Sequence, residues 1–411
     1  MKNIKKLVLG GISVLAINCQ SIIAQNNSPL IVKTKKESGI EVIQKDSLFS
    51  MQFQFRMQNR AGYLSKSEED LTPQEMEFRV RRLRMRLKGF VANPKLTYYV
   101  QLSFSRGDMD WEDPNASKYN TSPNIVRDAI IYYEPTSSLK FGFGQTKLPG
   151  NRQRVISSGN LQFADRSIVN ATYTLDRDFG FFGSYDKEYF SLKGAITSGE
   201  GRNSTKSDKG LNYTGRIELL PFGKFTKGND ECEGDLARES SPKLALAGSF
   251  NHNENIVRQS GTLGNDLYSS ADMQNLHLDL LFKYKGFAFY QEYCSRISKD
   301  GITVDSKDAT KIRSIYSGFG SLSQVSYLFK NNFELAFRYA NITPDNKLYS
   351  NTTYTSLNEK KQEHFHLGVS KYIYGHRVKV QGNLLYQISH DLKNNSNHKQ
   401  VGAIFQVELG I

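Results

Sequence analysis

The chain has 411 residues, with 54 lysines and arginines against 41 acidic residues and a formal net charge of +13. Its 22 tyrosines and 25 phenylalanines, with only ten prolines, are typical of a long all-β chain. Three cysteines exclude a disulfide-rich scaffold, although a single Cys232–Cys294 bond stays open. The positive balance favours anions, nucleic acid or anionic lipid as partners.

The first segment of the chain has the pattern of a secretory signal. Three lysines fall in the first six residues, and the next eleven form an uncharged, mostly apolar run that is too short to span a bilayer. Ala24 is a small residue at a cleavage position, which predicts a signal peptide over 1–24 and a loose leader over 25–47. Cys19 raises lipidation as an alternative. No later stretch is apolar enough for a transmembrane helix.

The most informative predicted element is a strand over residues 83–91, in which polarity alternates strictly. Successive side chains of a strand point to opposite faces. One face therefore carries only apolar residues and glycine, and the other carries four cations: Arg82, Arg84, Arg86 and Lys88. A membrane barrel tolerates this arrangement because lipid takes the apolar face and a water-filled lumen takes the charged face. The pattern predicts a barrel strand beside a positively charged pore.

The residues just before this strand are out of phase with it. Phe78 and Val80 share the parity of Arg82, so an uninterrupted strand turns the arginines beside them towards lipid. An arginine at the bilayer midplane costs about 2–4 kcal/mol. Either a β-bulge at Arg81 resets the phase, or residues 78–81 stand above the membrane. We expect the second.

The same alternation recurs along the chain and predicts about sixteen strands. The first begins at Phe49 and the last ends at Ile411; the others are expected near 78–91, 95–105, 125–134, 138–146, 178–186, 188–198, 211–222, 243–252, 274–285, 286–297, 313–329, 333–343, 362–373 and 376–389. Tight turns such as 285–286 alternate with long polar connections such as 147–177, as in a barrel with short turns at one end. One connection breaks this rule, because 223–242 is long and acidic where a short turn is due.

Two stretches carry a family resemblance. Residues 144–149 read Gly-Gln-Thr-Lys-Leu-Pro, and residues 157–170 read Ser-Ser-Gly-Asn-Leu-Gln-Phe-Ala-Asp-Arg-Ser-Ile-Val-Asn. With the arginine-rich strand, they resemble the phosphate-selective porin O and P family. The resemblance implies a transmembrane antiparallel β-barrel of sixteen strands over 48–411, in contact with outer-membrane lipid and with the barrel-assembly machinery. It further implies a homotrimer that admits small, phosphate-like anions by passive diffusion, although the family label also covers members with other solutes.

The resemblance also implies that the third external loop, about 147–177, folds back into the lumen and narrows it. This loop supplies five candidate cations: Lys147, Arg152, Arg154, Arg166 and Arg177. The candidate anion pathway on the barrel wall comprises Arg56, Arg60, Arg82, Arg84, Arg86 and Lys88. Arginine suits such a pathway because its planar fork offers several donors and stays charged. The competing interpretation is that these arginines pair with wall acids, namely Asp128, Glu218 or Glu334.

Two weaker signals point to metals. His364 and His366 share a strand face, a spacing compatible with metal ligation, but no third ligand accompanies them. The acidic patch Asp230, Glu231, Glu233 and Asp235 suits calcium, yet we expect it to be a solvated loop. No cofactor is therefore predicted.

A diffusion porin for small anions is the function that the sequence favours. The alternative is a non-conducting binding or adhesion barrel, or a partner in a nutrient-uptake complex. No Ser or Asp with a matched His forms a convincing catalytic set, so we expect no enzyme. Nucleic acid would suit the net charge, but an exported, lipid-facing chain does not meet it.

Overall fold

The computed structural model describes residues 30–35, 39–44, 48–105, 125–204 and 209–411. The predicted signal peptide over 1–24 lies outside these residues. Among the described residues, no helix is long and apolar enough to cross a membrane.

Sixteen antiparallel strands close into one barrel, as predicted. The strands in chain order are β1 Leu30–Lys35, β2 Gly39–Gln44, β3 Phe49–Ser65, β4 Pro73–Val91, β5 Asn93–Ser103, β6 Val126–Tyr133, β7 Leu139–Lys147, β8 Arg177–Asp186, β9 Phe190–Thr197, β10 Asn212–Leu219, β11 Lys243–Arg258, β12 Asp266–Tyr284, β13 Phe287–Ile297, β14 Ile302–Val304, β15 Ile312–Ser314, β16 Gly318–Leu328, β17 Phe333–Pro344, β18 Lys361–Tyr374, β19 Val378–Asp391 and β20 Ser396–Gly410. Strands β3–β13 and β16–β20 pair in sequence order, and β20 closes the ring against β3. The short helices are α1 Arg152–Val155 and α2 Ile168–Tyr173, with 3-10 turns at Thr226–Glu231 and Asn346–Leu348.

The connections at the two ends of the barrel differ in length. The short-turn end holds the connections 92, 134–138, 187–189, 285–286, 329–332 and 375–377. The long-loop end holds 66–72, 104–125, 148–176, 198–211, 259–265, 298–317, 345–360 and 392–395. The exception expected from the sequence is real, because residues 220–242 join β10 to β11 at the short-turn end. We call residues 220–242 the inner link.

Side chains alternate between an apolar outside and a polar inside. Strand β10 alternates at every residue, with Tyr213, Gly215, Ile217 and Leu219 exposed and Asn212, Thr214, Arg216 and Glu218 buried. This arrangement is the inverse of a soluble β-protein, and it is the one that a strand between lipid and a polar interior requires.

A β-bulge in β4 resolves the phase conflict seen in the sequence. Gln58 pairs with Arg82 and the next residue, Asn59, pairs with Val80, so Arg81 is the extra residue of the bulge. The strand runs on through this point to Pro73. The structure thus contains the bulge, and the expected position of residues 78–81 above the membrane stays a prediction.

Residues 30–44 contain two strands, so the expectation of a loose leader is wrong for this segment. Strand β1 pairs with β2, and β2 pairs with β3 from Ser50 to Phe53. Strand β20 ends its pairing with β3 at Arg56. Strand β2 therefore occupies the edge of β3 that β20 leaves open, and an open edge of unpaired backbone groups is what native sheets avoid.

One side of the interior is a packed apolar core rather than a polar lumen. Strands β11–β17 contribute inward-facing residues to it, and the connections 148–176 and 220–242 cover them; the buried cluster is Val169, Tyr173, Leu220, Phe225, Ala245, Leu281, Tyr290, Cys294, Leu322, Ala340 and Ile342. Helix α2 supplies Val169 and Tyr173, and the inner link supplies Leu220 and Phe225. Cys294 and Cys232 are buried free thiols, so no bond joins them.

Candidate functional site

The third loop, residues 148–176, makes polar contacts on opposite sides of the barrel. Arg60 on β3 donates a hydrogen bond to Asp165 of the loop. On the far side, Arg152 of the loop donates to Asp279 on β12 at 2.5 Å. The third loop is therefore bonded to inward-facing side chains of both walls.

The wall arginines of β3 and β4 converge on two serines of this loop. Arg86 donates to Ser157 Oγ at 2.9 Å, and Arg84 donates to Ser158 Oγ at 3.1 Å. Arg56 donates to both hydroxyls, at 3.3 and 2.8 Å. The structure thus brings three of the predicted pathway arginines together around one short loop segment.

The upper part of the predicted pathway is charge-compensated by the loop. Asp165 pairs with Arg60, with Arg82 at 3.3 Å and with Arg81 at 3.5 Å. Burial raises the pKa of Asp165, but the positive charges of these arginines outweigh it and hold the pKa below its usual range. Lys88, at the other end of the pathway, is exposed.

Two of the wall acids named in the competing interpretation do pair with candidate loop arginines, Asp128 with Arg177 and Glu218 with Arg152. Asp128 accepts two hydrogen bonds from Arg177, at 2.9 and 3.0 Å. Glu334 accepts from Gln162 of the third loop and from Tyr372, each at 2.6 Å. The wall arginines of β3 and β4 are compensated by Asp165 of the loop and by two acids on the wall, Glu408 beside Arg56 at 3.6 Å and Glu77 beside Arg60 at 3.7 Å.

Two of the five predicted loop cations lie on the wall. Lys147 ends β7 and Arg177 begins β8, so the loop proper is two residues shorter than predicted. Lys147 donates to the Val155 carbonyl at 2.6 Å. Arg166 donates to two backbone carbonyls of its own loop, and Arg154 pairs with Asp176. These cations shape the loop.

Arg152 belongs to a buried network of two arginines and two acids. It binds Glu218 at 2.6 Å and Asp279 at 2.5 Å, and Arg216 binds the same two carboxylates at 3.0 and 2.7 Å. Burial lowers the pKa of the Arg152 guanidinium, but the charges of Asp279 and Glu218 outweigh it and raise the pKa above its usual value. The network fixes α1 to the wall in a charged state.

Two cavities lie between the loop, the inner link and the wall. The large cavity has a volume of about 750 Å³, and the small cavity has a volume of about 500 Å³. The cations of the large cavity are Arg56, Arg84, Arg86, Lys227 and Arg377. Those of the small cavity are Lys140, Lys147, Arg152, Lys193 and Arg216. The two cavities share Ser157, Asn160 and Glu231 in their linings, so they adjoin at these residues.

The acidic patch on the inner link is only in part the solvated loop that we expect from the sequence, because Glu231 is exposed but two of its four acids are buried. Glu233 is 1% exposed and Asp235 is fully buried. Nothing in the local sequence gives their burial, because it depends on partners from distant strands. Only the unusual length of the connection indicates that this segment differs from its neighbours.

Neither the histidine pair nor a serine–histidine contact forms a chemical site. The rings of His364 and His366 lie 6.0 Å apart, and no group of three or more metal-binding side chains occurs among the described residues. Ser249 Oγ lies 3.2 Å from His277 Nδ1, while His277 Nε2 contacts the Tyr173 carbonyl at 3.1 Å. Both side chains are buried, and this contact ties β11 and β12 to α2.

Comparison with a protein-family model identifies the first half of the barrel. Residues 51–224 match the model of the phosphate-selective porin O and P family. The family resemblance is confirmed over this segment. The match includes β4 and most of β3, which carry the converging arginines, and the whole third loop, which carries the two serines that they contact. No curated protein matches the sequence of the chain.

Solved porins share the fold at low sequence identity. An anion-selective porin from Comamonas acidovorans has a TM-score of 0.55 and 10% identity, covering 88% of this chain and 100% of its own. OmpT of Vibrio cholerae has a TM-score of 0.53 and 12% identity. The outer-membrane channel DcaP of Acinetobacter baumannii has a TM-score of 0.53 and 11% identity. Each of these two matches covers 90% of this chain and 99% of the other chain. These matches show that the chain has the same β-barrel fold as the three outer-membrane proteins.

Proposed function

We propose that the barrel is a porin for passive diffusion of small anions, phosphate or related oxyanions. The convergence of Arg56, Arg84 and Arg86 on Ser157 and Ser158, beside the large cavity, carries the proposal. A serine hydroxyl is a neutral acceptor, so these four hydrogen bonds do not neutralise the arginine charges.

The charge balance of the cluster favours anions over cations. The Glu408 carboxylate lies 3.6 Å from Arg56 and 3.6 Å from Lys379, so it is shared between two cations. An oxyanion that enters the cavity can accept hydrogen bonds from the same guanidinium N–H groups that now donate to the serine oxygens. Exchange between hydroxyl, water and solute keeps each contact weak, and weak contacts allow an ion to leave as well as to enter.

We further propose that the third loop is the constriction. Its contacts with β3 and β4 through Asp165, and with β10 and β12 through Arg152, attach it at both sides. A loop held at both sides narrows the cross-section in a fixed position.

The cellular setting belongs to the same proposal. We propose export by the signal peptide over 1–24, insertion into outer-membrane lipid by the barrel-assembly machinery, and a homotrimer. A second structure of OmpT from Vibrio cholerae is described as a trimer form, and it matches this chain with a TM-score of 0.51. The Comamonas acidovorans porin is described as anion-selective.

A non-conducting barrel is the second candidate, and the packed core favours it. Apolar side chains of α2 and the inner link fill one side of the interior, which reduces the area left for solute. An enzymatic role has less support, because the buried Ser249–His277 contact lines neither cavity.

Conductance of the refolded protein in a planar bilayer tests the proposal. We expect an anion-biased reversal potential in a KCl gradient, and a current that falls as phosphate is added. Arg86→Gln should reduce the anion bias, whereas Lys66→Gln, which removes an exposed charge at the long-loop end, should not. Cation bias refutes the proposal, and a barrel that never conducts favours the second candidate.

A further inference from the structure

The inner link folds into the barrel from the short-turn end. Lys283 on β12 is fully buried and donates to the carbonyls of Cys232 at 2.9 Å, Gly234 at 2.6 Å and Asn229. A buried ammonium needs such partners, because an unsatisfied charge in the interior is costly. Lys283 thus holds the middle of the link against the inner wall.

A second anchor lies near the end of the link. Asp235 is fully buried and accepts a hydrogen bond from the Gly286 amide at 2.7 Å, in the turn between β12 and β13. Asp235 also accepts from the Asn229 side chain at 2.8 Å and from the Glu239 amide at 3.1 Å, which fixes the link's own conformation.

Glu233 connects the inner link to the third loop in the middle of the barrel. Its carboxylate accepts from the Gln162 amide at 2.9 Å and from the Gln153 side chain at 3.0 Å, both on the third loop. It also accepts from Gln324 on β16 at 3.2 Å and lies 3.8 Å from Arg338 on β17. Two segments that enter from opposite ends of the barrel therefore meet at one buried carboxylate.

We propose that the inner link is a second constriction element and that Glu231 on it is a specificity-determining residue. The inference rests on the proposed porin function and deepens it. With α2 and the link packed against β11–β17, the two cavities lie along the opposite wall and offer space for solute. The route between the two cavities runs past the residues that they share, Ser157, Asn160 and Glu231.

Glu231 is placed by its backbone and exposes its side chain. The Asn160 side chain donates to the Glu231 carbonyl at 3.0 Å, and the Glu233 amide donates to the Asn160 carbonyl at 3.1 Å. The Glu231 side chain is exposed and lines both cavities. Five cations line each cavity, against Glu231 and Glu408 in the large one and Asp186, Glu218, Asp230 and Glu231 in the small one. Glu231 alone among these acids lines both, so its carboxylate opposes anions where the cavities adjoin and moderates the selectivity that the arginines create.

The length of the link supports a role beyond joining two strands. Strands β12 and β13 are joined by Lys285 and Gly286 alone. Strands β10 and β11 pair in register at Leu219 and Leu246, so a similar short turn would close them. The extra residues of the link lie in the interior, where they contact the third loop and the wall.

The first experiment replaces residues 223–242 by an Asn-Gly turn and measures single-channel conductance in a planar bilayer. We expect the conductance to rise at least about twofold, because a filled part of the cross-section opens. If the wild type conducts and the variant conducts equally, the inference is overturned while the porin function stands. If only the variant conducts, the inference holds and the wild-type barrel is closed. If neither conducts, both are overturned.

The second experiment keeps the link intact and tests Glu231 alone. Glu231→Gln preserves the backbone contact with Asn160 and should raise the anion-to-cation permeability ratio about threefold, as expected for one charge near the route. Glu69→Gln removes the same charge from an exposed position in the 66–72 loop and should leave the ratio unchanged. Equal ratios in the wild type and Glu231→Gln overturn the role of Glu231, even where the turn variant fails to fold.

Discussion

Replacing Arg152 with methionine tests whether the third loop is held by charge. Arg152 and Arg216 together balance Glu218 and Asp279, and all four side chains are nearly or fully buried, with exposures of 5%, 5%, 11% and 0%. Methionine preserves much of the length of the side chain but removes its charge. The two carboxylates are then left to share Arg216.

The expected effect is large because the lost partner leaves a buried charge uncompensated. Removing one member of a buried ion pair costs about 3–5 kcal/mol, and each 1.4 kcal/mol is a factor of ten in an equilibrium constant. The population in which α1 is detached from the wall should therefore rise about a hundredfold to a few thousandfold. Adding Asp279→Asn restores the charge balance and should recover most of the loss.

Hydrogen exchange of peptides covering 148–176, measured on the protein in lipid bilayers, reports this opening directly. The matched control is Arg79→Met. Its ion pair with Glu77 is 46% exposed on the arginine side, so its loss should cost only about 0–1 kcal/mol. Equal exchange rates of the loop in Arg152→Met and Arg79→Met would refute the reasoning.

Three further predictions follow from single contacts. The pKa of Asp165 is lowered in the folded protein, so its contribution to loop docking is complete above the usual carboxyl pKa of about 3.9 and is lost as the pH falls through the lowered value. Hydrogen exchange of residues 157–166, corrected for the intrinsic rate, should stay slow down to about pH 4 and become faster below it. Asp165→Asn should abolish this acceleration. Deleting Arg81 removes only the extra residue of the bulge and leaves Arg82 paired with Gln58 and Val80 with Asn59, so Phe78 and Val80 keep facing outward and we expect the heat-resistant folded barrel to persist on gels. Gly286→Ala places a Cβ 2.5 Å from the Leu328 carbonyl oxygen at a backbone φ of +95°. It should lower the free energy of unfolding in urea by more than about 1 kcal/mol. Gly375→Ala, whose Cβ meets no atom within 4 Å, should lower it less.

The barrel wall was predictable because its signal is local. Alternation with a period of two fixes which residues face lipid and which face the interior, and it does so independently of distant partners. Sixteen strands, the alternation of short and long connections, and the cationic face of β4 follow from that rule. The bulge at Arg81 was recognisable as one of two alternatives, since the same rule shows where the phase breaks.

The contents of the barrel were not predictable in the same way. Asp165 lies 105 residues from Arg60 in the chain, and Glu233 lies equally far from Arg338. No periodicity links a loop carboxylate to an arginine so far away in the chain. The acidic inner link resembles a solvated loop because burial of its acids depends on Lys283 and Gly286, which the fold brings to it.

The sequence alone determined the membrane barrel, its polar interior and the positions of its arginines, because strand geometry ties each side chain to one of two faces. The tertiary structure decided which of those arginines face serine hydroxyls beside a cavity and which are neutralised by a carboxylate. It also decided that two connections from opposite ends meet inside. The physical reason is that charge compensation and packing in the interior are set by contacts between segments far apart in the chain, and each contact depends on where both segments come to lie.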